Sequence, residues 1–428
     1  MDTLAFVESP VQFLNVLEWA YTSALHPATR RPPGTAGAAP GGGGSGGPGS
    51  EGSGAAGSMS AESGPGAPDS ASSASSGLPA SLPGRPGSHG TGTGTGPGHG
   101  TGTGSAGAPA VPPMTVVVLP PVDPMTRGQL RRVAELARDE GHTVQWAEAR
   151  GGAAPLKTVG ALARPLRRAS RVVIGDPFSR YVQLLLTLTT APEVVVVDDG
   201  TATMEFVQQL ARGERLTRWH RSGSGGPGAA LFAPVSRRAR SRLTPSGSRR
   251  VEIFSSMPVE KAVAELGVTA GVNDFAWTRA RFGPPRLTGG TDLVGTSLVE
   301  TGVVDLDRYL QAVRSLARTH GATRYFAHRR ESTEKLHRVT EETGMEIVRP
   351  DLPLELVARR GPIGRTILSF PSTVVHTLPL ALAGTPVQVA VCDIDPAWLT
   401  DSASPRAQGF LSGVTTTAPA VTRLPHTR

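Results

Sequence analysis

Short runs of apolar, mostly β-branched residues alternate with longer amphipathic segments along most of the sequence. The first run, Thr3 to Glu8, precedes a segment from Pro10 whose apolar residues recur at helical spacing, and Leu306 to Thr319 repeats that spacing much later. Strands that alternate with helices are typical of parallel sheets. The sequence therefore predicts an α/β fold.

The alternation forms two successive series. The first ends near Val197 and the second begins near Val251, with a Gly- and Arg-rich stretch at 221–250 between them. Two such series predict two Rossmann-like domains facing one cleft, where ligands collect at the carboxyl ends of the strands. The predicted parts are an N-terminal domain (1–26 and 113–235), a basic linker (236–250), a C-terminal domain (251–415) and a tail (416–428).

Residues 27–112 interrupt the first series with low-complexity sequence. They contain no Phe, Trp or Tyr, and 26 of the 53 glycines lie between Gly34 and Gly107. Such a segment cannot bury enough apolar surface to offset the entropy lost on ordering. We predict a disordered insertion in the first helix-to-strand connection, where the entropy cost of a long loop grows only slowly with length.

Composition excludes several classes of protein. The single cysteine, Cys392, rules out an intrachain disulfide and a cysteine-clustered zinc site. No run of eighteen apolar residues predicts a membrane span, and the N-terminus has no basic region typical of a secretory signal. A cytoplasmic location is expected.

The net charge is +8, and its basic residues are mostly arginines scattered along the chain, but one block stands out: six arginines and no acid lie between Ser236 and Arg250. A solvated basic linker explains this block. Contact of Arg237 to Arg250 with an anionic polysaccharide, or with the anionic inner face of a membrane, is the alternative. Binding of nucleic acid is not expected.

An acidic pair follows a strand of four valines. Asp198 and Asp199, with Gly200 permitting a tight turn, lie where a cleft is predicted. Neighbouring like charges raise the pKa of at least one carboxyl group, as a general base for a hydroxyl proton requires. An ordinary Asp-Gly turn explains the same residues.

Three further strand ends carry polar residues. His328, followed by Arg329, is suited to donate to a phosphate, and Ser372 and Thr373 precede an apolar helix whose free N–H groups also suit a phosphate. Glu355 lies at a predicted helix start. The alternatives are a surface histidine in a turn, a simple N-cap, and an acid favoured by the helix dipole.

Together these residues resemble bacterial sialyltransferases of the lipooligosaccharide and capsular polysialyltransferase type, which adopt the GT-B fold. The family carries an acidic pair with Gly, a His-Pro pair and a Ser-Ser/Thr pair. These match Asp198-Asp199-Gly200, His328-Arg329 and Ser372-Thr373, in the family's order. The stretch Val294 to Gly302 followed by Tyr309, and Pro353-Leu354-Glu355, are also similar. Arg329 replaces the family's proline, and Pro371 replaces a small residue.

The resemblance implies an inverting transfer of sialic acid, or a related nonulosonic acid, from a CMP-activated donor to a glycan acceptor, without metal or other cofactor. It implies that Asp198, or with less preference Asp199, is the base in the acceptor domain. His328 would donate to the departing phosphate, Ser372 and Thr373 would hold its oxygens, and Glu355 would accept from the ribose.

Two other functions remain open on the sequence. One is a GT-B glycosyltransferase with a different nucleotide-sugar donor. The other is a non-catalytic basic protein that binds anionic polymers through Arg237 to Arg250. The Gly-Gly pairs make neither a phosphate-binding P-loop nor a GxGxxG motif, so nicotinamide and P-loop functions are not predicted.

Overall fold

A computed structural model describes residues 2–26, 110–148, 154–218, 227–401, 403, 405–418 and 420–424. These residues form two parallel β-sheets, each covered by helices on both faces, which confirms the predicted two-sheet α/β class. The predicted insertion falls almost wholly on residues 27–109, which lie outside the described residues.

The first sheet belongs to the N-terminal half, residues 2–282, and has the strand order β3-β2-β1-β4-β5-β6-β7. Its strands are β1 (Thr3–Val7), β2 (Thr115–Val118), β3 (Thr143–Trp146), β4 (Arg171–Ile174), β5 (Glu193–Val197), β6 (Arg250–Ser255) and β7 (Thr269–Val272). Its helices are α1 (Pro10–Leu25), α2 (Pro124–Asp139), α3 (Ala154–Arg168), α4 (Arg180–Leu188), α5 (Thr201–Ala211), α6 (Pro227–Arg242), α7 (Glu260–Glu265) and α8 (Ala276–Phe282).

The second sheet belongs to the C-terminal half, residues 287–424, and has the order β10-β9-β8-β11-β12-β13. Its strands are β8 (Leu287–Val294), β9 (Ala322–Phe326), β10 (Glu346–Val348), β11 (Ile363–Ser369), β12 (Gln388–Cys392) and β13 (Thr422–Leu424). Its helices are α9 (Leu306–His320), α10 (Thr333–Thr343), α11 (Leu354–Arg360), α12 (Val374–Ala381) and α13 (Pro405–Thr416). Among the described residues, no helix combines the length and apolar character needed to cross a bilayer.

Local sequence explains the elements nearest the site. Ser9 begins α1 as N-cap, because its hydroxyl accepts from the N–H of Gln12 and Pro10 fits the first helical turn. Alternate residues of β1 enter different cores: Leu4 and Phe6 pack on one face of the sheet, while Ala5 and Val7 pack on the other. A strand buried on both faces reads as an unbroken apolar run, as observed.

The two halves pack against each other. Leu352 and Leu356, at the start of α11, join the apolar cluster built from α1 and α2. The side-chain amide of Gln129 donates to the carbonyl of Pro350 at 2.8 Å. The carboxyl end of β10, two residues before Pro350, therefore lies beside α2.

Three predicted boundaries differ from the structure. Residues 251–272 supply β6 and β7 of the first sheet rather than starting the second domain, because β6 pairs with β5 along its length. The predicted basic linker is helical to Arg242, since Ala239 and Leu243 pack into the core. The predicted tail contains β13, which extends the second sheet beside β12. Pairing between distant strands leaves no local signal, so the sequence did not reveal these assignments.

Candidate active site

Asp198 directly follows β5 and is almost completely buried, with 1% of its surface exposed. One carboxylate oxygen accepts from the hydroxyl of Thr203 at 2.6 Å, and the other accepts from the N–H and hydroxyl of Ser256 at 3.0 and 2.7 Å. Its carbonyl accepts from the amide of Asn15 at 2.9 Å. Burial raises the pKa of Asp198. Its hydrogen bonds join the ends of β5 and β6, so the structure does not favour the predicted base at this position.

Asp199 turns the other way and is only partly buried. Its carboxylate accepts from the guanidinium of Arg218 at 2.6 Å, and the same guanidinium group bonds Asp176 at 3.0 Å. Burial and the negative charge of Asp176 raise the pKa of Asp199 to about 6, against the opposing charge of Arg218. Asp199 is therefore the member of the pair with both access and a pKa suited to accepting a proton.

The side chain of Gln12, in the first turn of α1, contacts Asp199. It lies against Gly175 at the end of β4 and also donates a hydrogen bond to Asp199. A side chain in place of Gly175 would place its Cβ 2.5 Å from the Gln12 side chain, so this close approach requires glycine. The turns after β1, β4 and β5 thus meet around one carboxylate.

Gly200 brings the two halves of the molecule into contact. It has φ of 67°, and a Cβ added there would lie 2.6 Å from the hydroxyl of Thr373. Both the backbone conformation and the space therefore require glycine. The structure places the predicted acidic turn against the predicted hydroxyl pair Ser372-Thr373, at the start of α12.

The hydroxyl of Thr373 is not used to begin its helix. Thr373 occupies the N-cap position of α12 but makes no side-chain capping hydrogen bond. Capping, one of the two interpretations of the pair, therefore does not explain Thr373. Ser372 and Thr373 are both partly exposed, and their carbonyls accept from the N–H groups of Val375 and His376 in the first helical turn.

His328 lies in the turn between β9 and α10 and is neutral. Burial lowers its pKa to about 4, and nearby cations act in the same direction. Its Nδ1 accepts from the N–H of Arg330 at 3.2 Å. The proton of the neutral ring therefore belongs on Nε2, where it is available for donation to a ligand.

A buried polar network holds the His328 turn in place. The carboxylate of Glu331 accepts from the N–H of His328 at 2.6 Å, from the hydroxyl of Tyr325 at 2.5 Å and from Lys335 Nζ at 2.7 Å. Lys335 has only 1% of its side chain exposed and also donates to the carbonyl of Thr296 at 2.7 Å. The ammonium lies 4.0 Å from the ring centroid of Tyr309, whose hydroxyl bonds that of Tyr325 at 2.7 Å.

Arg329 extends from the same turn toward the N-terminal half. Its guanidinium interacts electrostatically with Asp199, Asp123 and Arg218. The residue after the histidine, at which the sequence departs from the family pattern, is therefore a charged link between the His328 turn and the Asp199 turn.

Glu355 is buried in the first turn of α11. Its carboxylate accepts from the hydroxyl of Thr377 at 2.6 Å. Burial raises the pKa of Glu355, and the negative charge of nearby Asp198 raises it further. The structure thus places Glu355 in the C-terminal half beside the acidic turn of the N-terminal half.

Of the residues singled out from the sequence, the structure places Gly200 against Thr373, which follows Ser372. It places Asp198 within electrostatic range of Glu355, and Asp199 within range of Arg329, the neighbour of His328. It adds Gln12, Asp176, Arg218, Ser256, Glu331 and Lys335, which the sequence did not suggest. Asp176 comes two residues after the end of β4, and Lys335 lies four residues after Glu331 at helical spacing, so both left a usable signal. Arg218 left none. Among the described residues, no cluster of three or more His, Cys, Asp or Glu side chains is arranged to hold a metal ion.

No protein-family model and no curated protein matches the sequence. The fold is similar to that of an α/β-galactoside α-2,3-sialyltransferase from the luminous marine bacterium Photobacterium phosphoreum, with 9% identity over 72% of this chain and 90% of that chain and a TM-score of 0.41. It is also similar to Os79 from O. sativa, solved in complex with UDP, with 13% identity, coverage of 71% and 88%, and a TM-score of 0.32. Likeness at this level concerns the course of the chain and assigns no role to any residue.

Proposed function

We propose that this chain is an inverting glycosyltransferase that transfers a sialic acid, or a related nonulosonic acid, from a CMP-activated donor to a glycan hydroxyl. One observation carries the proposal: a partly exposed carboxylate of raised pKa in the N-terminal half lies beside the His328-Arg329 turn of the C-terminal half. A base and a set of donors suited to an anionic leaving group are what a displacement at a sugar phosphate needs.

In this proposal Asp199 is the general base. The acceptor oxygen attacks the anomeric carbon on the face opposite the phosphate, the bond from that carbon to the phosphate oxygen breaks, and the hydroxyl proton passes to Asp199. The carboxylate must be ionised to accept the proton, and a pKa of about 6 leaves it ionised at neutral pH while keeping it more basic than an ordinary aspartate.

The C-terminal half supplies the donors for the departing CMP. His328 donates from Nε2 in its neutral form, and the hydroxyls of Ser372 and Thr373 hold phosphate oxygens. Arg329 adds a positive charge. Because the donor carries a single phosphate, we propose that these groups neutralise it without a metal ion.

The choice of CMP and of sialic acid rests on the resemblance of the five short motifs. Glu355 is assigned to the ribose of the nucleotide. Its Oε1 is bonded to Thr377, so contact with a ribose would fall to the other oxygen.

The test combines nucleotide binding with turnover. CMP is expected to raise the melting temperature, and at a concentration a hundred times its Kd the stabilisation is about 2.7 kcal/mol. CMP-sialic acid is expected to release CMP faster when a suitable glycan acceptor is present. UDP and GDP, the nucleotides released from other sugar donors, serve as comparisons.

Each alternative predicts a different result. Stabilisation by UDP or GDP, with none by CMP, would assign the chain to a glycosyltransferase with another donor. A protein that responds to no nucleotide, and binds polysaccharides only through salt-sensitive charge, would be a non-catalytic binder and would refute the proposal.

A further inference from the structure

Three helices form one continuous surface on the N-terminal half. α3, α4 and α6 pack side by side on the same face of the first sheet, where Leu166, Leu185 and Leu243 enter a common core. Helices that rest on one sheet lie at a similar height above it. Their outward sides, which we call the basic helical face, therefore form a broad surface rather than a groove.

The basic helical face accounts for the entire positive excess of the chain. The three helices contain nine basic residues and no acidic residue, whereas the rest of the sequence has 34 Lys and Arg against 35 Asp and Glu. The basic residues are Lys157, Arg164, Arg167, Arg168, Arg180, Arg237, Arg238, Arg240 and Arg242. The acid-free surface ends at the flanking helices α5 and α7, which carry Glu205, Glu260 and Glu265.

The opposite side of the same sheet shows what an ordinary basic surface looks like in this protein. There α2 also carries arginines, but it has the acids Glu135 and Asp139 among them. Two of its four arginines pair with acids: Arg127 with Glu148 and Arg132 with Asp351. Within the part of the chain that the structure describes, none of the exposed arginines of α3 and α6 pairs with an acid. These are Arg164, Arg167, Arg168, Arg237 and Arg238.

Helix stability explains only part of this pattern. Basic residues in the last turn interact favourably with the helix dipole, which covers Arg167, Arg168, Arg240 and Arg242. It does not explain the exposed cations earlier in the helices, nor the absence of every acid from three adjacent helices. Such clustering costs repulsion unless an anionic partner is bound.

The basic helical face also presents an apolar side chain to solvent. Leu231 on α6 is 84% exposed, and Pro234, one turn later, is also exposed. An apolar side chain among cations can enter the acyl boundary of a bilayer while the cations contact lipid headgroups. A soluble polyanion has no apolar layer to receive Leu231.

We propose that the basic helical face docks the protein on a membrane surface that contains anionic phospholipids. Breadth, uniform charge and an exposed leucine suit the plane of a bilayer better than a single polymer chain. The helices run against the direction of the strands, so the arginines in their final turns lie near the amino ends of the strands. Leu231 lies in the first half of α6, nearer the carboxyl ends, so the basic helical face extends along the full length of the helices. The proposal does not depend on the reaction catalysed.

The experiment measures binding of the full chain to vesicles by sedimentation. Neutral vesicles of phosphatidylcholine are compared with vesicles that contain phosphatidylglycerol as about a third of the lipid. The face variant replaces Arg167, Arg168, Arg237 and Arg238 with Gln. The matched control replaces four other exposed arginines with Gln, so that both variants lose the same charge. These are Arg131, Arg132 and Arg138 on α2 and Arg318 on α9.

We expect binding to the anionic vesicles only. In 1 M salt the Debye length falls to about 3 Å, so the attraction is screened and binding should be lost. The face variant should bind at least tenfold more weakly, because it loses cations that lie close to the membrane surface. The control should change less than twofold, because its arginines lie on other helices, too far from the lipid to contribute. Leu231→Ser should weaken binding severalfold without changing the charge. Circular dichroism checks that all variants remain folded.

Three results would overturn the proposal. The first is no preference for anionic over neutral vesicles. The second is an equal loss of binding in the face variant and the control, which would mean that net charge alone acts. The third is binding to dextran sulfate that is tighter than binding to vesicles at equal charge, which would identify a soluble polyanion as the partner.

Discussion

Burial moves the pKa values of the two central groups of the site in opposite directions. In the N-terminal half it raises the pKa of Asp199 to about 6, and in the C-terminal half it lowers the pKa of His328 to about 4. Loss of water disfavours the charged form of both a carboxyl group and an imidazole. The pKa of the carboxyl group is therefore higher than that of the imidazole, the reverse of the usual order. Near pH 5 both groups are largely uncharged.

The two halves differ in how they hold these groups. Asp199 is set by ionic neighbours, Arg218 and Asp176, at a partly exposed position. His328 is set through its backbone by a buried network centred on Glu331 and Lys335. Single charge changes should therefore adjust the Asp199 side gradually, whereas single deletions should disrupt the His328 side as a unit.

The largest expected effect comes from removing the base. Asp199→Asn should lower the rate of transfer about a thousandfold, because positioned proton transfer contributes 10²–10⁴, while CMP binding stays nearly intact. Asp198→Asn is the matched comparison: it should chiefly reduce the free energy of unfolding, by about 1–3 kcal/mol, since it disturbs a buried hydrogen-bonded carboxylate. Turnover and denaturant unfolding measure the two effects. A larger loss of transfer in folded Asp198→Asn would return the base to that residue.

The next largest effect tests the buried network. Lys335→Met leaves Glu331 buried without its cation and should reduce the free energy of unfolding by about 3–5 kcal/mol. Adding Glu331→Gln to the same chain should recover part of that loss, because the uncompensated charge is then gone. Urea unfolding of both variants measures this. A single variant as stable as the wild type would show that the network does not support the turn.

His328→Ala should weaken CMP binding about tenfold to a hundredfold, which corresponds to a hydrogen bond with a charged phosphate. His337→Ala is the control, because His337 lies on the exposed side of α10 in the same half. Calorimetric titration with CMP measures both. Equal affinity in the two variants would reduce His328 to a residue of the turn.

The smallest expected effect is a shift of the pH profile. A base must be ionised, so kcat/KM should rise with pH through an inflection near 6. Asp176→Asn removes a negative charge that raises the pKa of Asp199, and the inflection should move to lower pH by up to about one unit. Arg218→Gln removes a positive charge and should move it to higher pH. Shifts in the same direction for both variants would contradict Asp199 as the titrating group.

Much of this site left a trace in the sequence. Apolar runs predict buried strands, and parallel strands bring their carboxyl ends to one edge, so Asp198, His328 and Ser372 were expected near a common cleft. Gly200 was expected in a tight turn and has positive φ. The sequence did not distinguish the two aspartates, because that depends on Thr203 and Ser256, which only the fold brings to Asp198.

The order of strands and helices was determined locally, since periodicity of apolar residues reflects how each segment buries one face or two. The sheet to which β6 and β7 belong, the pKa values of Asp199 and His328, and the gathering of three acid-free helices on one face were decided by the tertiary structure. Each depends on burial or on charges from segments far apart in the chain, and no local pattern encodes those distances.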